Sequence, residues 1–218
     1  MAKTASKSRP SARAVDTRRA LTDAAKEILR FEGFSAATAR NIAARAGCNQ
    51  GLVFYHFGSV MNLLLAALDD VSSERRERYS AALAEVRRPS DLVELAARIF
   101  QEDLDNGDAA LLVEMIAGAS STPGLGTEVM ARVAPWTDFA ENALKSVVDD
   151  SPMAAIVPPG EIAHAIVALY LGLELLSHLD GDRQAALGIF KRASQLASFA
   201  DLIIGSPPAL EDEGKDQP

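Results

Sequence analysis

The chain has 218 residues, 48% apolar and 24% charged, proportions that suit one or two compact domains and exclude global disorder. A single cysteine, Cys48, excludes an internal disulfide framework and a cysteine-based zinc finger, and three histidines leave few ligands for a catalytic metal. The net charge is −8, yet residues 1–60 carry ten Lys and Arg against four acids, and no carboxylate occurs between Glu32 and Asp69. Such asymmetry points to a nucleic-acid partner, with chance plus a solvated basic tail as the alternative.

Residues 1–14 read as a flexible basic arm without the apolar core of a signal peptide, which points to the cytoplasm. Asp16 is placed as the N-cap of a first helix with Leu21, Ala24, Ala25, Ile28 and Leu29 on one face, stopped at Gly33. Thr38 caps a short second helix holding Ile42, Ala43 and Ala46, and Gly47 breaks it. Asn49 caps a short third helix with Leu52, Val53, Phe54 and Phe57. Gly58-Ser59 then opens a longer fourth helix through Val71. Two short helices joined at a glycine place a helix-turn-helix domain at residues 15–62.

Residues 63–205 read as a larger C-terminal helical domain. Ser90 caps a helix that ends at Asn106-Gly107-Asp108, where the next begins. After a loop at Ser120–Gly126, a helical pattern from Glu128 to Val148 is interrupted near Pro135, and Asp149–Gly160 is a longer connection. Helices at about 161–179 and 183–204 close the fold, and the acidic, proline-rich tail 206–218 reads as disordered. There is no strand signal, so the fold class is all-α with about nine helices. The most apolar segment, Ile162–Leu179, contains His164, Glu174 and His178, so no membrane span is expected.

Val53 and Phe57 can form the buried underside of the third helix while Gln50, Tyr55 and His56 present polar groups. Glutamine reads adenine bidentately, and Arg40 can pair with guanine or a phosphate. The alternatives are packing roles for Tyr55 and His56 and a solvated charge for Arg40. The run Glu32-Gly33-Phe34, Thr38-x-Arg40-x-Ile42-Ala43-x-x-Ala46-Gly47, Gly51-x-x-Phe54-Tyr55-His56-Phe57 and Leu63-Leu64 resembles the N-terminal DNA-binding domain of the TetR family of transcriptional regulators, over about residues 16–70.

The resemblance implies that Thr38 and Ala39 lie near the DNA backbone and that Arg40 and Gln50 lie where bases are read. It places Tyr55 and His56 against phosphate or base. Asn49, Gly51, Arg18 and Arg19 complete the expected DNA-binding set. Three positions depart from the family pattern: Phe54 lacks the hydroxyl of a common tyrosine, Val60 replaces a lysine, and Leu52 replaces a small or hydroxylated residue. Cys48 takes the place of a small aliphatic residue, an inert buried thiol rather than a redox sensor.

The last helix carries Ile189, Phe190, Ala193, Leu196, Ala197, Ala200 and Ile203 at three- and four-residue steps, and the helix before it is apolar almost all round, with Ile166, Tyr170 and Leu173. Helices that are apolar on every side need covering on every side, which predicts a symmetric homodimer through these residues, with an intramolecular core as the alternative. The middle helices offer a small-molecule cavity, as in the family, with Phe100, Met115, Trp136, Phe139 and Tyr170 as lining and Glu114, Glu174 or His178 as polar anchors.

Enzyme readings fail. Glu161/His164 is one Glu-x-x-His where a di-iron bundle needs two. Ser177, His178 and Asp180 lack a nucleophile elbow, and Gly124-Leu125-Gly126 does not complete a dinucleotide fingerprint. No cofactor and no metal site are expected. The chain therefore reads as a dimeric DNA-binding regulator, a ligand-released repressor acting at a palindrome without membrane contact. The alternatives are the same shape controlled by a protein partner or bound constitutively, and a helical binding module with a vestigial motif. If Lys7, Arg9, Arg13, Arg18 and Arg19 compensate for the lost backbone contacts, deleting residues 2–13 flattens the slope of log K against log salt; an unchanged slope removes the arm from the interface.

Overall fold

The computed structural model describes residues 12–149 and 158–204, and among them all regular structure is helical. Most of the expected arm, most of the 149–160 connection and the acidic tail lie outside the described residues. Nine α-helices and one 3-10 turn follow in order: α1 (Ala12–Phe31), the turn (Phe34–Ala36), α2 (Ala39–Arg45), α3 (Gly51–Phe57), α4 (Val60–Ala84), α5 (Pro89–Asn106), α6 (Asp108–Ala119), α7 (Leu125–Val148), α8 (Pro159–Asp180) and α9 (Arg183–Ile204).

Several boundaries differ from the sequence reading. α1 begins at Ala12, so Asp16 lies inside the helix rather than capping it. Ser90 is also inside its helix; Asp91 supplies the cap, its carboxylate accepting from the Arg87 and Arg88 amides at 3.1 and 3.0 Å. The Arg88 guanidinium bonded to Asp91 holds that carboxyl below its usual range. The expected interruption at Pro135 does not occur. α7 runs through it, because proline removes one amide from the ladder while the turns on both sides remain bonded.

Contacts divide the chain into two units, Met1–Arg76 with Leu104–Val133, and Glu77–Asp103 with Ala134–Pro218. In the first, α1 packs on α2 and α6, and α6 also meets the 3-10 turn. Leu21, Ala25, Ile28, Leu29, Ile42, Val53, Leu63, Leu111, Met115 and Leu125 are buried there. Polar ties span the same surfaces. Arg30 donates to Asp108 at 2.5 Å, and the Phe34 amide donates to the Glu114 carboxylate at 2.7 Å. The Lys26 ammonium, 9% exposed, sits among Asp23, Asp70 and Glu74.

The second unit centres on Tyr79, Val86, Leu95, Ile99, Val147 and Val148, against which Trp136, Phe139 and Tyr170 pack. Phe100 meets Tyr170 edge-on at 5.5 Å and Phe190 at 5.1 Å. The Tyr170 hydroxyl donates to the buried Asp103 at 2.5 Å, and the Ser90 amide donates to Asp201 at 3.0 Å. Tyr79 donates to Glu102 at 2.6 Å; burial, then the Glu102 and Asp103 carboxylates, push its phenol up to about 12.

Among the described residues, α8 is the one single helix long and apolar enough to cross a membrane by length and composition, contrary to the expectation from its charged and polar residues. Its face with Ala163, Leu173, Glu174 and Ser177 is nevertheless buried within the unit.

One glycine in the first unit is required by close approach. A Cβ on Gly118 would stand 2.6 Å from the Phe34 ring, well inside van der Waals contact. Gly118→Ala therefore forces the α6–turn contact apart and destabilises the protein by about 1–3 kcal/mol, read as a lowered midpoint in denaturant unfolding.

Candidate nucleic-acid interface

α2 and α3 have seven residues each, too short to persist alone, and every end is secured by neighbours. Thr38 Oγ1 accepts the Asn41 amide at 3.2 Å and starts α2. Gly47, with φ of +65°, ends it, as the Cys48 amide reaches back to the Ala43 carbonyl at 2.9 Å. Asn49 Oδ1 then accepts the Gly51 amide at 2.8 Å at the head of α3.

Inside α3, Val53 and Phe57 are buried, as their four-residue spacing predicts. Its last carbonyls are clamped from two sides. Asn62 Nδ2 donates to the Phe57 carbonyl at 2.9 Å, and the Arg18 guanidinium donates to the His56 carbonyl at 2.9 Å. Arg18 also lies over the Phe57 ring, 4.2 Å from its centre, a cation–π contact that closes the underside of α3.

The outward surface is formed by Thr38, Arg40, Asn49, Gln50, Gly51, Phe54 and Tyr55, all exposed. Arg40 makes no ion pair among the described residues. His56 is half-buried edge-on to Tyr55, with ring centres 4.9 Å apart. Arg19 is exposed and 3.8 Å from Asp23.

Two residues of the expected DNA-binding set also have partners within the fold. Ala39 is buried on the inner face of α2 with Ile42 and Ala43, three and four residues on. Arg18 is engaged with α3. The reading missed Asn62 and the exposure of Phe54; the Ser59-x-x-Asn62 spacing, in which Ser59 Oγ accepts the Asn62 amide at 3.0 Å, was the available signal for Asn62. Cys48 is half-buried rather than fully buried, and desolvation raises its thiol pKa, which disfavours the reactive thiolate.

The residues proposed for a ligand fall in both units. In the first, Met115 is buried and Glu114 is bonded to the Phe34 amide. In the second, Phe100 and Glu174 are buried, Trp136 and Phe139 stack edge-on at 5.7 Å, and His178 is exposed. Of the residues expected at a dimer surface, Ile166, Ile189 and Leu196 are exposed, whereas Leu173 and Ala197 are buried within the unit. Tyr170 and Phe190 turn toward Phe100, and Ala193 and Ala200 are half-buried. Ile166, Tyr170 and Leu173 share one helical face, yet the fold covers only its C-terminal part.

A capped short helix, a tight glycine turn and a second short helix with a buried underside define a helix-turn-helix protein. Residues 21–67 match the family described as bacterial regulatory proteins, tetR family. Over that segment, which takes in α2, α3 and the adjoining parts of α1 and α4, the chain is similar to the TetR family.

It is 28% identical over 117 residues to the HTH-type transcriptional regulator CymR of Pseudomonas putida, covering 52% of this chain and 56% of CymR. It is 32% identical over 87 residues to the HTH-type transcriptional regulator BetI of Rhizobium meliloti, covering 39% and 43%. The chain thus spans about half the length of the curated relatives it matches. A solved TetR-family regulator from Rhodococcus sp. has the same fold, with a TM-score of 0.69 at 19% identity over 84% of this chain and 98% of that one.

Arg18→Ala removes one charge-assisted hydrogen bond and one ring contact at an exposed site. It lowers stability by about 0.5–1.5 kcal/mol, measured by denaturant unfolding, whereas Arg40→Ala leaves stability unchanged within about 0.5 kcal/mol.

Proposed function

We propose that this protein is a cytoplasmic transcriptional repressor that binds a palindromic DNA operator as a homodimer and is released by a small-molecule effector. The observation that carries the reading is the outward surface of α2 and α3. It is free of acidic side chains, exposes Arg40, Gln50 and Tyr55, and is held by a fully committed underside. Gln50 and Arg40 supply base-edge contacts, and Thr38, Tyr55 and the Ala39 backbone approach phosphate.

Dimerisation is supported by α8 and α9. Ile166, Leu169, Leu176 and Leu179 on α8, and Ile189, Leu196, Phe199 and Leu202 on α9, are each between 39% and 72% exposed. Apolar side chains at this density on two consecutive helices want a cover, and a second copy about a two-fold axis supplies the same two helices in return. The symmetry then presents two α3 helices to inverted half-sites.

Release follows from differential affinity: an effector that prefers the form with wrongly spaced α3 helices lowers operator affinity by that preference. Within the first unit, α6 is tied to the head through Asp108–Arg30 and Glu114–Phe34. Displacement of α6 therefore pulls on α1 and the 3-10 turn directly. α4, which follows directly on the motif, is the second lever.

Selection of bound duplexes from a random pool tests the reading. An inverted repeat is expected, and Arg40→Ala or Gln50→Ala each reduces discrimination by about 1–3 kcal/mol with the dimer intact. Leu169→Asp with Leu196→Asp gives a monomer by sedimentation and loses the palindrome. A wild-type protein that is strictly monomeric, or that binds scrambled and selected duplexes alike, overturns it; metabolites are then screened for release of the selected duplex.

A further inference from the structure

Phe54 is 49% exposed on α3, although Val53 and Phe57 on either side of it are buried. The ring contacts of its neighbours leave it outside: Arg18 covers Phe57, and His56 meets Tyr55 edge-on. The helical period puts Phe54 on the same face as Gln50, four residues before it, with Gly51 between them offering no side chain that would mask either.

A phenyl ring has no hydrogen-bonding atom, so it gains nothing from phosphate or from the polar edges of bases. The major groove displays one apolar group, the C5-methyl of thymine. A glutamine amide four residues away is suited to the N6 and N7 of adenine. The two side chains on this face thus match the two partners of A·T pairs.

We propose that Phe54 is a specificity-determining residue that reads thymine methyl groups, in concert with Gln50 on adjacent adenine, so that each half-site carries A·T pairs under the centre of α3. This deepens the proposed operator binding and rests on it. The loss of the common tyrosine hydroxyl at this position then exchanges a backbone contact for an apolar base contact.

The test alters the DNA before the protein. Each thymine of the selected duplex is replaced in turn by deoxyuridine, which removes the methyl group and keeps base pairing. The Kd is expected to rise about fourfold at one or two positions per half-site, the loss of one buried methyl. In Phe54→Ala the parent affinity falls and the thymine-to-uracil difference at those positions disappears, while the melting temperature falls only slightly because half of the ring is already exposed. If deoxyuridine has no effect anywhere, or the effect persists undiminished in Phe54→Ala, the assignment is overturned with operator binding still standing. If no sequence is selected at all, operator binding fails and this assignment fails with it.

Discussion

The constraint on which the DNA-facing end depends is the length of α3. Seven residues close too few backbone hydrogen bonds to offset the cost of nucleating a helix, so α3 exists only because other parts of the chain hold it. Asn49 secures its start, Val53 and Phe57 bury its underside, and Asn62 and Arg18 clamp its last carbonyls. The inner face is used up by this support. The outer face is left with side chains that contribute nothing to holding the helix, and these are the ones available to a partner.

The same division explains where the charge goes. The basic excess of the first sixty residues is not a uniform positive field. Lys26 is enclosed by Asp23, Asp70 and Glu74; Arg30 meets Asp108; Arg45 meets Glu27 and Glu32. These cations are neutralised inside the first unit, and only a subset, with Arg40 foremost, faces outward. The absence of acids between Glu32 and Asp69 therefore matters more than the surplus of bases, because it leaves the outward surface without repulsion toward phosphate.

Local signals were legible in the sequence and long-range ones were not. Thr38, Gly47 and Gly58 mark their helix ends by chemistry that acts within five residues, and each stands where the spacing put it. Val53 and Phe57 follow from the helical period. By contrast, Asp16 and Ser90 are good capping residues in isolation, but the helices begin upstream of them, at Ala12 and Pro89, and Asp91 offers the amides a better acceptor.

The ties Phe34–Glu114 and Ser90–Asp201 join residues 80 and 111 apart, which no window along the chain can see. The contacts of Arg18 are hidden for the same reason: only the packed geometry shows the carbonyl and the ring that it meets on α3. The grouping of Leu104–Val133 with the N-terminal segment was likewise invisible, since it rests on α6 meeting α1 and the turn.

Exposure acquires meaning from what the neighbouring positions do. On α8, Leu173 and Glu174 are buried while Leu169 and Leu176, which flank that buried face, remain open to solvent. On α3, Val53 and Phe57 are buried while Phe54 remains open. In both helices the buried side chains already satisfy the fold, so the exposed part of an apolar neighbour costs solubility and adds little internal stability. Scattered singly, such residues need no explanation. Repeated at helical spacing on α8 and α9, they fit a broad apolar cover of the kind a second copy provides. Standing beside a glutamine and a glycine on a helix held outward at both ends, a lone phenylalanine fits a small apolar group presented among polar ones.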